Sequence, residues 1–124
     1  MPVIRNDEAP HFTLHDASFR GLAAPSRGSK ETSVWRVSLA PGAPGAAHSV
    51  DREEIFVALS GRALATLDGK HHELCAGDTL IVPAGLTFSL ANPGTEVFEA
   101  LAVAPAGVRA QLPGGDPFAP PWTT

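Results

Sequence analysis

The 124-residue sequence contains no tyrosine, one cysteine and one methionine. A single cysteine, Cys75, can close no internal disulfide and excludes a cysteine-rich zinc cluster, so nothing marks an oxidising compartment and Cys75 reads as a small buried thiol. Charge is sparse and mildly acidic, with 9 Lys plus Arg against 13 Asp plus Glu and a formal net charge of -4. The basic residues are scattered, which argues against a nucleic-acid footprint, since that needs Lys and Arg clustered on one face. Long apolar runs are also missing: none approaches the ~18 residues that spanning a bilayer takes. Met1 to Phe12 carries Arg5, Asp7 and Glu8 and lacks the apolar core of a signal peptide. These absences lead us to expect a cytoplasmic, soluble chain with no nucleic-acid and no membrane partner.

Helical patterning is lacking as well, because no window of about 11 residues keeps apolar spacing at i, i+3, i+4 and i+7 without a Gly or Pro inside it. What the sequence does have is 44% hydrophobic residues, 12 Gly and 12 Pro. At this length the chain forms one domain, 1–124, and folding buries roughly two thirds of the unfolded surface. Such a core needs no metal to hold it, so a metal would serve function.

Short strand-like runs dominate: 34–39, 55–59, 63–67, 71–74, 79–82, 87–90 and 97–103, with a further short run at 12–14. Turn chemistry separates them at Pro41-Gly42, Ser60-Gly61, Asp68-Gly69, Ala76-Gly77-Asp78, Pro83-Ala84-Gly85 and Asn92-Pro93-Gly94. Asp68-Gly69 predicts a two-residue hairpin of type I′, which needs positive φ at both central positions. Many short strands at such spacing predict an all-β sandwich or barrel. Within 54–60, alternation puts Glu54, Phe56 and Ala58 on one face and Ile55, Val57 and Leu59 on the other. The Pro-rich tail 113–124 suits neither a helix nor a central strand and is expected to lie extended on the surface, anchored by Phe118 or Trp122.

His48 and Val50 are two apart on one strand and so share a face, and Glu54 keeps the same parity beyond a turn or bulge at Asp51 to Glu53. All three can converge on a barrel interior. Gly77 and Pro83-Ala84-Gly85 allow the tight corners that bring position 88 opposite them. A His and a carboxylate close together among Phe56, Phe88 and Leu90 would have perturbed protonation and could bind or protonate a ligand.

The pattern Gly42, His48, Val50, Glu54, Gly61 over residues 42–61 resembles the first motif of the cupin family, which reads Gly, His, His, Glu, Gly at those intervals. Over residues 77–92, Gly77, Pro83, Gly85, Phe88 and Asn92 resemble the second, which reads Gly, Pro, Gly, His, Asn. The resemblance implies a cupin jelly-roll β-barrel, a double-stranded β-helix of two antiparallel sheets related to the RmlC-like cupins. In metal-binding members the two first-motif histidines, the glutamate and the second-motif histidine would be the ligands. Val50 and Phe88 stand at two of these positions, so only His48 and Glu54 carry over and no metal is expected. Were a divalent metal such as Zn, Ni, Fe or Mn present, the third ligand would come from His71 or His72, one of which alternation turns inward, or from His15.

The function expected is therefore that of a small-molecule-binding cupin, with a paired His48 and Glu54 in a cavity lined by Val50, Phe56, Phe88 and Leu90. The alternative is an enzyme, either a metal-free acid-base isomerase, cyclase or dehydratase using His48 and Glu54, or a dioxygenase with substitute ligands. Apolar Ile55, Val57 and Leu59, with the short run 12–14 at a sheet edge, lead us to expect a homodimer.

Overall fold

The computed structural model describes residues 3–124; Met1 and Pro2, at the head of the segment read above for a leader, lie outside them. The Asp68-Gly69 hairpin forms as its residues require, with φ of 49° and 78°. It joins strands that pair from Leu67↔Lys70 to Arg62↔Cys75. Among the described residues there are eleven strands: β1 (His11–Leu14), β2 (Ala17–Ala23), β3 (Thr32–Leu39), β4 (Ser49–Val50), β5 (Glu54–Ser60), β6 (Arg62–Leu67), β7 (Lys70–Cys75), β8 (Thr79–Val82), β9 (Phe88–Ala91), β10 (Phe98–Pro105) and β11 (Ala110–Gln111), with burial alternating most regularly in β3, β8 and β10. Among the described residues the only helical elements are three single 3-10 turns.

The strands form a six-stranded sheet in the order β1-β2-β3-β10-β5-β8, a three-stranded sheet β7-β6-β9 and a short pair β11-β4. All pairings are antiparallel. This is the jelly roll, all-β as the sequence predicts.

The core is built by matching large side chains to small ones across the central strands. Inward on β10 come Phe98, Ala100, Ala102 and Ala104, all buried, and Ala102 lies in register with both Trp35 on β3 and Phe56 on β5. Alanine at that crossing leaves the two rings room to lie over the sheet. On β5 the burial alternates with Glu54, Phe56 and Ala58 inward, the parity expected. The Asn of the second motif, Asn92, is buried and structural: its Nδ2 donates to Leu39 O (3.0 Å) and Glu96 O (2.7 Å), and its Oδ1 accepts from Gly94 N (3.1 Å).

Two expectations change. Strand β2 was not foreseen, because Arg20 and Gly21 interrupt its apolar pattern. Gly21 is needed there, since a Cβ would come within 3.0 Å of Trp122 O and closer still to the Arg27 guanidinium. Cys75 is half-buried rather than buried, at the end of edge strand β7. No helix among the described residues is long and apolar enough to cross a membrane.

Candidate functional site

His48 is placed by backbone pairing rather than by its own side chain. Its N–H donates to Phe88 O (3.0 Å) and its carbonyl accepts from Phe88 N (2.8 Å), so the first motif is stitched to the second at this pair. The two rings lie 4.4 Å apart, and Phe88 in turn packs against Phe56 at 5.9 Å. Val50 follows on β4, held by its register with Ala110 and by Val50 O accepting from Gly85 N (2.7 Å). Beyond it the chain bends at Asp51, whose Oδ1 accepts from Arg109 N (2.8 Å), and enters β5 at Glu54. The turn between motif positions therefore has its own side-chain lock.

These residues surround a cavity of about 280 Å³. His48, Val50, Glu54, Phe56, Phe88 and Leu90 all line it. The lining is mostly apolar, and its titratable members are His15, Asp16, His48 and Glu54. Volume and composition are those of a small-molecule site.

The His48 and Glu54 pairing expected from the sequence is not what forms. Among the described residues Glu54 Oε1 is buried without a hydrogen-bond partner, and neither a His48 nor an arginine contact reaches it. His48 instead uses Nδ1 against Ala46 O at 2.9 Å. A carbonyl only accepts, so Nδ1 carries the hydrogen and the neutral ring keeps its lone pair at Nε2. Left alone in an apolar wall, the Glu54 carboxyl is pushed up by desolvation from 4.5 to about 8. A proton, not a partner charge, neutralises it.

Of the histidines proposed as substitute ligands, His71 and His72 do not reach the cavity. His71 and His72 are both exposed on β7, the edge strand of the smaller sheet, whose first four residues nothing covers. His72 has the parity of Leu74 but stays exposed, and His71 Nδ1 bonds to Thr66 Oγ1 at 2.9 Å. His15 lines the mouth of the cavity from the turn between β1 and β2, exposed and at a φ of 54°. Among the described residues no three His, Cys, Asp or Glu side chains come together as a metal site.

Other lining residues escaped the sequence reading. Trp35 and Leu39 could have been found from the inward parity of β3, which buries Ser33, Trp35, Val37 and Leu39. Phe19 and Leu14 come from the β1-β2 hairpin, and Phe118, Pro120 and Trp122 from the tail. The tail is anchored by Trp122, which stacks on Phe19 at 3.7 Å and 3°, and ends in a 3-10 turn, Pro121–Thr123.

A family model described as a cupin domain matches residues 35–104, more than half of the chain. No curated protein sequence matches significantly. Among solved structures, the chain is similar to the polyketide cyclase RemF from Streptomyces resistomycificus, with TM-score 0.78 and 16% identity over 87% of this chain and 81% of that one. It is also similar to an RmlC-like cupin from Shewanella frigidimarina, with TM-score 0.74 and 15% identity over 86% and 92%. A third is salicylate 1,2-dioxygenase from Pseudoaminobacter salicylatoxidans, with TM-score 0.72 and 17% identity over 85% of this chain and 31% of the dioxygenase. At these identities the likeness shows the fold.

Proposed function

The chain belongs to the cupin family, a fold that by itself assigns no chemistry, and from its cavity we propose that it binds an uncharged, largely apolar small molecule. The observation that carries this reading is Glu54 Oε1, buried and without a partner in an apolar cavity of about 280 Å³. An unmet buried carboxyl is costly, and a ligand that accepts its hydrogen bond recovers part of that cost. Near neutral pH the group is a donor, so the complement is a carbonyl, ether or hydroxyl oxygen. An ionised ligand would lose its hydration to an apolar wall without gaining a counter-charge.

The donor set does not fit a resident transition metal. His48 and Glu54 are two donors where catalytic sites commonly use three, and Val50 and Phe88 fill the remaining positions with hydrocarbon.

A ligand screen by saturation-transfer NMR tests the reading. Neutral ketones and alcohols of one or two rings should bind, and Glu54→Leu, which keeps the volume and removes the donor, should weaken them about tenfold. Hits indifferent to Glu54→Leu and Phe88→Ala, or no hits, would sink it.

One observation favours catalysis as a second reading. Glu54 as an acid and His48 Nε2 as a base share a cavity without touching each other, the placement that metal-free proton transfer to and from a bound carbonyl compound requires.

We also propose that the chain pairs with a second copy through the outer face of the six-stranded sheet. The register sets Val34, Val103, Ile55 and Ile81 in one row across β3, β10, β5 and β8, with Leu101 and Val57 in the next. Ile81 remains 56% exposed. An apolar band flanked by the Arg36 and Glu99 pair (3.9 Å) can meet its own two-fold copy. Light scattering should give twice the 12.9 kDa chain mass, and Ile81→Lys should return it to one; a monomer at micromolar concentration refutes the pairing.

A further inference from the structure

Six of the chain's eight Phe and Trp side chains line one cavity: Phe19, Trp35, Phe56, Phe88, Phe118 and Trp122. A seventh, Phe12, packs against Trp122 at 6.3 Å. Two of the six, Phe118 and Trp122, come from the tail, outside the residues 35–104 that match the cupin model. The common barrel therefore supplies only part of this wall.

The tail is fixed in place by bonds of its own. Phe118 N donates to Ala110 O (2.9 Å) and Phe118 O accepts from Ala110 N (2.8 Å). Trp122 lies flat on Phe19, and the next residue is tied by buried Ser33 Oγ donating to Thr123 O at 2.8 Å. Thr124 O accepts from Ser26 N at 3.0 Å. These ties hold the indole and its partner as a stacked pair at the cavity wall rather than leaving the segment loose on the surface.

The mouth supplies a separate observation. Leu14, Leu112 and Phe118 are 54%, 48% and 43% exposed, and all three line this cavity. Three large apolar groups left to water around one opening point to an occupant whose apolar body reaches the rim. Aromatic walls favour flat partners, because a ring face meets a planar π-system over its whole area and a puckered ring only at its edges.

Resting on the reading that the cavity holds a small molecule, we propose that segment 113–124 is a specificity element that selects flat, uncharged, conjugated ring compounds, with Phe118 and Trp122 as their stacking partners. The bound molecule presents an oxygen to Glu54 and lays its ring system along the tail. Selection by shape then comes from residues appended to the barrel, while the polar anchor comes from the barrel itself.

A matched pair of alcohols tests it. 2-Naphthol and trans-decahydro-2-naphthol share a carbon skeleton and a hydroxyl, and differ in flatness. Calorimetry on the full chain should show 2-naphthol binding at least tenfold more tightly. Trp122→Leu should bring that ratio below threefold, and Trp122→Phe, which restores a ring, should recover most of it. Should Trp122→Leu fail to fold, Phe118→Leu decides, since its ring is partly exposed: the ratio should fall at least threefold, and an unchanged ratio refutes the proposal. Equal binding of the two alcohols to the unmutated chain overturns the selectivity and leaves the binding reading standing. Binding of neither overturns both.

Discussion

Glu54→Gln is expected to make the protein more stable relative to the unmutated chain as pH rises, by about 3 to 5 kcal/mol between pH 4.5 and pH 8. The cause is the raised carboxyl, about 8 in the folded chain against 4.5 as its ordinary value, from burial alone. Between those values the folded state holds a proton that the unfolded state has released. Stability therefore falls as pH climbs, with a limiting slope of about 1.4 kcal/mol per pH unit for one group. Below pH 4.5 both states are protonated and the contribution is fully present; above about 8 it is lost. Glutamine cannot ionise, so the variant lacks this slope, although its amide keeps whatever fixed cost an unpaired buried polar group carries. Urea denaturation of both proteins at several pH values between 4 and 9 reads the difference directly. A difference that stays flat through this range would mean that Glu54 is ionised in the folded state, with a counter-charge or water beside it.

How legible the fold was depended on how local the signals are. Strand β8 is found at its full extent, 79–82, and the Asp68-Gly69 hairpin forms as expected, because alternation and positive φ are properties of a few adjacent residues. Strand β2 hides because Gly21 answers to Arg27 and Trp122, the latter about a hundred residues away in sequence. The candidate site divides the same way. Residues carried by the two motifs, His48, Val50, Glu54, Phe56, Phe88 and Leu90, meet at the cavity. Those on β1, β2 and the tail join it only through the closure of the whole sheet. Pairing of His48 with Glu54 was the natural expectation for two polar groups in one barrel. It fails because His48 is turned to Ala46 O, a bond made within its own loop that no spacing rule reveals. Alternation turns one of His71 and His72 inward, yet both are exposed, because parity sets a face whereas burial depends on whether another element covers that face.

Phe88→Ala is expected to cost roughly 3 to 5 kcal/mol and to lower the melting temperature by more than about 10 °C. The ring is 1% exposed and packs between His48 and Phe56, so its removal takes dispersion partners from both. Two consequences separate packing from strand pairing. The bonds that link position 88 to His48 are made by backbone atoms, so alanine retains them and His48 stays at the cavity. Phe88→Leu, which refills much of the space, should recover about half of the lost stability. The same substitution should enlarge the cavity from its present 280 Å³, so that bulkier neutral ligands bind Phe88→Ala in preference to the unmutated protein and restore its stability in proportion to their occupancy. Guanidinium unfolding measures the first effect and ligand-dependent melting the second. A loss below about 1 kcal/mol would show a ring that is not packed as described. Loss of stability with no change in ligand preference would place Phe88 in the core but outside the binding surface, and would remove the barrel-side support for an aromatic-walled site.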